Sequence, residues 1–230
     1  MISKDLKSYA ASSWSSFIDD ITTISKDSRK GISLIEDETE IYNFDKICFS
    51  VFGENIPTSV DGIMLTDNAI EFVEFKSGFK HKIQKDNLDP EKKLCKVIGN
   101  KYCTWYWDLF FKNRDMEIKE LISSIRFKGL ESYLTLEKKV LPHCDELQGK
   151  PLLLKYIVVI DGDGVEGIED SLAEVAGKEE STANSCSQIK DALKRITRQT
   201  DAEGNTYCYD EVEVMSAFDF KNKLSLHKDN

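Results

Sequence analysis

Leu6, Ala10, Trp14, Phe17, Ile18, Ile21 and Ile24 recur at intervals of three and four. This spacing predicts one amphipathic helix that ends before Gly31. Asp37-Glu38-Thr39-Glu40 reads as the acidic first turn of a second helix, with Ile41, Phe44, Ile47, Cys48 and Val51 as its apolar face and Gly53 as its stop. Pro57 then fixes a loop into two short apolar runs, 60–65 and 69–75, separated by Thr66-Asp67-Asn68. That separation predicts a tight antiparallel hairpin. The second run is apolar at Ile70, Phe72, Val73 and Phe75, hence on both faces, which marks a strand covered on both sides and central in its sheet.

Residues 77–93 are polar and lysine-rich and predict a loop, whereas 94–111 are aromatic and predict helix. Met116, Ile118, Leu121, Ile122 and Ile125 continue a helix with a break at Gly129, and Leu130, Leu134, Leu136 and Val140 carry another up to Pro142. Residues 152–160, LLLKYIVVI, are the clearest buried strand. Residues 167–187 predict a loop or weak helix, 188–199 a helix, 211–220 a final strand, and the tail LSLHKDN a frayed end. The expected fold is α/β, with α+β open, built on a mixed central sheet flanked by helices. It forms one domain over 1–230, with a core motif at 36–80, a helical insert at about 94–142 and a C-terminal strand–helix–strand at about 152–220.

Composition narrows the class. Hydrophobic residues at 40% and charged residues at 31% suit a globular rather than a disordered chain. No apolar run reaches bilayer length and the N-terminus lacks a signal-type apolar core, so a cytoplasmic protein without a membrane partner is expected. Cys48, Cys95, Cys103, Cys144, Cys186 and Cys208 form no close CxxC pair, which argues against a zinc site and for reduced, partly buried thiols. The net charge of −10 opposes nucleic-acid binding by the bulk field, so any such surface must be a local basic patch, and it leaves a protein partner open.

The chemistry concentrates at the hairpin. Residues two apart on a strand point the same way, so Glu74 and Lys76 share a face. In an antiparallel hairpin the start of the first strand lies beside the end of the second, which brings Asp61 next to both. Neighbouring carboxylates share a proton or hold a cation. Ligation by oxygen alone suits a hard ion such as Mg²⁺ or Mn²⁺, which can polarise a phosphoryl oxygen. Other acid–x–lysine triplets occur, at Glu91, Glu117, Glu137, Asp5 and Asp219, the last at the end of the expected final strand. Only Glu74 joins a buried strand, a hairpin and an upstream aspartate.

Asp61 followed by Glu74-Phe75-Lys76 on a hairpin after a helix resembles the core of the PD-(D/E)xK nuclease superfamily, with Val60 where proline is usual. The resemblance covers residues 36–80, with a looser match of the later helix and the 152–160 strand. It implies a restriction-endonuclease-like core that hydrolyses phosphodiester bonds in DNA, or in RNA, with Mg²⁺ or Mn²⁺. It implies Asp61, Glu74 and the Phe75 carbonyl as metal ligands and Lys76 as the residue serving the attacking water. It also implies a further acid from the preceding helix, for which Glu40 is the choice and Glu38 and Glu36 are rivals. A catalytically inactive member of the same fold, binding protein or nucleic acid, is the alternative, and a homodimer is left open.

Lys80, Lys82 and Lys85 follow the motif directly and are placed for a nucleic-acid path; Lys190, Lys194 and Arg198 form a second basic stripe that could meet a phosphate backbone but reads more simply as a solvated helix face. Trp105, Tyr106 and Trp107 could stack bases, but consecutive aromatics fit a core better. Asp161-Gly-Asp163-Gly after a strand is similar to the first motif of haloacid dehalogenase-like phosphatases. Fewer than seventy residues follow it, so a glycine-rich turn is the simpler reading.

Overall fold

The periodicity of residues 6–24 conceals a change of layer. In the computed structural model, which describes residues 4–28, 30–66, 69–77, 119–143, 153–161, 190–191, 193 and 208–228, helix α1 (Lys4–Ser13) stops among four serines around Trp14. A 3-10 turn at Ser15–Phe17 leads into strand β1 (Ile18–Asp20) and a single helical turn, α2 (Ile21–Ile24). Leu6, Ala10 and Trp14 pack in the core on one face of the sheet, and Ile21 packs on the other. The single helix expected here is therefore two pieces separated by an edge strand. Serine favours caps and turns over helix interiors, and a chain rounding a sheet edge can satisfy a three–four spacing from two faces.

A small hairpin follows, β2 (Lys26–Asp27) with β3 (Ile32–Ser33), turning through Gly31 at φ 69. The second expected helix begins late. Its first residues form strand β4 (Glu40–Asn43), antiparallel to β1, and Asn43 caps helix α3 (Phe44–Phe52) by accepting from the Lys46 N–H at 3.0 Å. Asp37 instead accepts from the Thr39 N–H at 2.7 Å, and Glu40 lies opposite Asp20. Phe44, Ile47 and Cys48 are buried as the apolar pattern requires, Ile41 faces the opposite core, and Val51 is exposed. Gly53 ends the helix at φ 66, a conformation that favours glycine.

The hairpin pairs β5 (Gly62–Leu65) with β6 (Ala69–Lys76), from Gly62 opposite Val73 to Leu65 opposite Ile70. Strand β6 is the pivot of the sheet: antiparallel to β5, it runs parallel to β7 (Leu153–Ile160), which runs parallel to β8 (Glu211–Ser216). The order β1-β4-β5-β6-β7-β8 makes a mixed six-stranded sheet with helices on both faces, an α/β fold.

Helix α4 (119–135) runs through Gly129 without the expected break and continues as a π turn at Leu136–Val140. Gly129 serves close approach: a Cβ there would stand 2.8 Å from the ring of Tyr156. The Tyr156 hydroxyl donates to the Ile125 carbonyl at 2.8 Å and the Tyr209 hydroxyl to the Gly129 carbonyl at 2.7 Å. The two tyrosine rings stack at 5.3 Å and pin α4 to the sheet.

The expected final strand is also shorter. Strand β8 stops at Ser216, and helix α5 (Ala217–Lys228) takes up its last residues and most of the tail expected to fray. Ser216 Oγ accepts from the Asp219 N–H at 3.1 Å and donates to Asp219 Oδ2 at 2.7 Å, a serine cap that starts the helix. Phe220 and Leu224 then bury against the sheet. Asp219-Phe220-Lys221 is thereby helical, not at a strand end.

Cys48 and Cys208 are buried free thiols, and the other four cysteines lie outside the described residues. The expectations for 78–118 and 162–189 also lie outside them, as does most of the expected helix over 188–199. Among the described residues, no helix is long and apolar enough to cross a membrane.

Candidate functional site

Alternation along β6 sends Ile70, Phe72 and Glu74 to one face and Glu71, Val73 and Phe75 to the other, and Lys76 follows Glu74. The hairpin register continues to place Asp61 opposite Glu74. Asp61 Oδ2 accepts from the Phe75 N–H at 2.6 Å, which leaves Oδ1 for other contacts. Lys76 Nζ lies 2.5 Å from Glu74 Oε1. Lys128, from α4, completes the cluster: its Nζ is 3.2 Å from Asp61 Oδ1, 2.9 Å from Glu74 Oε1 and 3.0 Å from Glu74 Oε2.

Two helices hold the loop that delivers Asp61. The Thr58 N–H donates to Glu131 at 2.5 Å, the Thr58 hydroxyl donates to the same carboxylate, and the Val60 N–H donates to Ser132 Oγ at 2.9 Å. From the other side, the Phe44 N–H reaches the Asp61 carbonyl at 3.1 Å, and the Ser59 hydroxyl donates to Asp45 in the first turn of α3. The site thus sits where α3, α4 and the hairpin converge. It lies at the edge where the parallel strands end, a common place for ligands in α/β sheets.

Burial sets the electrostatics. Glu74 is 0% exposed, and that desolvation, with the charge of Asp61, pushes its carboxyl up to about 7 although Lys76 and Lys128 oppose the shift. Burial would lower the Lys128 ammonium, but Glu74 and Asp61 outweigh it and hold it above the ordinary lysine value. Burial also raises the Asp45 carboxyl against the Ser59 hydroxyl bond, and the charge of Asp61 adds to the rise.

Asp61, Glu74 and Lys76 are brought together. Phe75 contributes its N–H to Asp61 from the same stretch of main chain whose carbonyl was the expected ligand. Glu40 is not brought in: it is exposed, on a strand rather than a helix, and three residues (~10 Å of strand) before Asn43, the partner of Gly62. Glu36 and Glu38 are exposed ahead of the same strand. The acid that the preceding helix presents to this cluster is Asp45. An asparagine cap two residues before it was the available signal, masked by the more acidic run at 37–40.

Lys128 was also missed. It interrupts an inward stripe of Leu121, Ile125, Ser132 and Leu136, and a lysine on such a stripe needs a buried anion. Asp161 directly follows Ile160, the partner of Lys76, at the same sheet edge, while Asp163 lies outside the described residues. Lys190 is exposed in a helical stretch with Leu193 buried; Lys80, Lys82, Lys85, Lys194, Arg198 and the aromatics at 105–107 lie outside the described residues.

The donors suit a hard cation in kind, because the carboxylates of Asp61, just before β5, and Glu74, on β6, already converge on one positive charge. Among the described residues, no group of three or more His, Cys, Asp or Glu side chains is gathered for a metal, so any further ligands would be main chain or water. No family model, curated protein or solved structure matches the chain.

Proposed function

We propose that the chain is a Mg²⁺- or Mn²⁺-dependent, endonuclease-like hydrolase of phosphodiester bonds in DNA, with RNA as the second substrate candidate. One observation carries this reading: the carboxylates of Asp61, at the entry to β5, and Glu74, on β6, converge on the Lys128 ammonium while Lys76 touches Glu74 from the same strand. Asp61 Oδ1 and Glu74 would hold the ion with the Phe75 carbonyl. A divalent ion bound there supplies Lewis acidity toward a phosphoryl oxygen. Lys76 orients the attacking water through Nζ and offsets the negative charge that builds on the phosphorane oxygens. The Phe75 N–H holds Asp61 Oδ2, so Oδ1 is the oxygen that would be offered to an ion.

The test is incubation of the purified protein with DNA and RNA, with and without Mg²⁺ or Mn²⁺, beside Lys76→Ala. Metal-dependent cleavage that collapses in Lys76→Ala is the expected result. Absent cleavage, or cleavage indifferent to that substitution, overturns the reading.

A second reading has its own observation. Lys128 and Lys76 together already neutralise both carboxylates, as they would in an inactive member of the same fold that binds a protein or nucleic-acid partner. The net charge of −10 favours a protein partner in that case.

A further inference from the structure

We infer that Lys128 is the resting counter-ion of the site and that a divalent cation enters by displacing its ammonium, an inference that rests on the metal-dependent reading above. Three contacts define the position. Nζ touches Asp61 Oδ1 and both oxygens of Glu74, the same oxygens that would ligate an ion. Two cations cannot occupy that space at a few ångströms' separation without strong repulsion. Lys128 and the ion are therefore alternatives.

The geometry allows the exchange. The Lys128 side chain keeps 22% exposure, so it has a path to solvent, whereas Glu74 has none. Its backbone is not free to follow: Tyr156 and Tyr209 hold the Ile125 and Gly129 carbonyls on either side of it. Displacement is thus a rotation of one flexible side chain against a fixed helix. An empty acidic pair in this buried place would be costly, and an ammonium on a tether removes that cost until an ion arrives.

The exchange also changes the sign of the pocket. At rest, two ammonium groups face Asp61 and Glu74, with Asp45 nearby. With a divalent ion in place of Lys128 the charges cancel when Asp45 is counted, and the released ammonium at the rim brings the sum to one positive charge. A phosphodiester is then attracted locally although the chain as a whole is acidic, and the released Nζ stands at the rim to meet it.

The experiment is Mn²⁺ titration by calorimetry of the full chain and of Lys128→Gln. The variant is expected to bind Mn²⁺ about tenfold more tightly or better, because the competing charge is gone. A crystal structure of the wild-type chain with Mn²⁺ gives a second measurement that does not depend on the variant folding. There Nζ is expected beyond hydrogen-bond distance of both Asp61 and Glu74. Equal or weaker binding by a folded variant, or Nζ still bridging both carboxylates beside bound Mn²⁺, overturns the displacement while leaving the metal site intact. No Mn²⁺ binding by either protein overturns the metal-dependent reading itself.

Discussion

Glu71 and Glu74 lie three residues apart on β6, both buried, on opposite faces of the sheet, and they are neutralised in different ways. Glu71 belongs to a ladder of alternating sign. Lys223 of α5 reaches it at 3.1 Å and Glu213 at 3.3 Å, while Lys155, opposite Glu71 on β7, pairs with Glu211 at 2.6 Å. Each anion there has a cation next to it, and the ladder opens to solvent at Glu211. Glu74 faces another carboxylate. Asp61 and Glu74 share the Lys128 ammonium and Glu74 also touches Lys76, yet burial and the charge of Asp61 still push Glu74 up to about 7. Alternation of sign is how a fold makes a buried charge tolerable; juxtaposition of like charge has to be maintained against its own repulsion, and that distinguishes a candidate site from a structural ion network.

The most direct way to break this contrast is paired substitution. Glu74→Gln is expected to lower metal-dependent cleavage by ~100-fold or more, and Glu71→Gln to leave it within a few-fold, both read on a labelled duplex with matched amounts of folded protein. Equal losses would erase the distinction.

Acid–base behaviour sharpens it next. Folded Glu74 keeps its proton up to about pH 7 whereas the unfolded side chain loses it from 4.5, so between those values the native state binds more protons. Its contribution to stability is therefore full below pH 4.5 and is lost as the pH rises toward 7, on the order of 3 kcal/mol in all. Urea unfolding across that window should show the decline in the wild type and a flatter profile in Glu74→Gln. An unchanged profile would place the carboxyl in a less hostile setting than the geometry gives.

Smaller effects probe the supports on each side. Gly129→Ala forces a methyl group toward the Tyr156 ring, 2.8 Å away, and should cost about 2 kcal/mol in thermal or urea unfolding while disturbing the Lys128 contacts. Ser216→Ala removes the cap of the helix that carries Lys223 and should cost about 1 kcal/mol without changing cleavage. A loss of cleavage in Ser216→Ala would show that the two faces are coupled.

Much of this arrangement was legible in the sequence, for reasons the structure makes plain. The β5–β6 hairpin announced itself by its apolar runs and short turn, β7 by LLLKYIVVI, Glu74 and Lys76 by strand alternation, and Asp61 by the antiparallel pairing of the hairpin. The misreadings came where local pattern had two physical solutions. Residues 6–24 keep helical spacing while serving both faces of the sheet, and the acidic run before β4 mimics a helix start that Asn43 in fact supplies. Ser216 and Asp219 carried a cap signal inside a run whose β-branched residues suggested strand. Lys128 could not be assigned from its neighbours, because the anions that explain it are more than fifty positions earlier in the chain.

The tyrosine latch has a consequence in time as well as in space. The hydrogen bond from Tyr209 to Gly129 spans eighty positions. During synthesis Asp61, Glu74 and Lys128 all emerge first, but the clasp that registers α4 on the sheet can be completed only once residue 209 has emerged. The C-terminal third of the protein, which supplies none of the site's acids, therefore completes the register of the helix that carries their counter-ion.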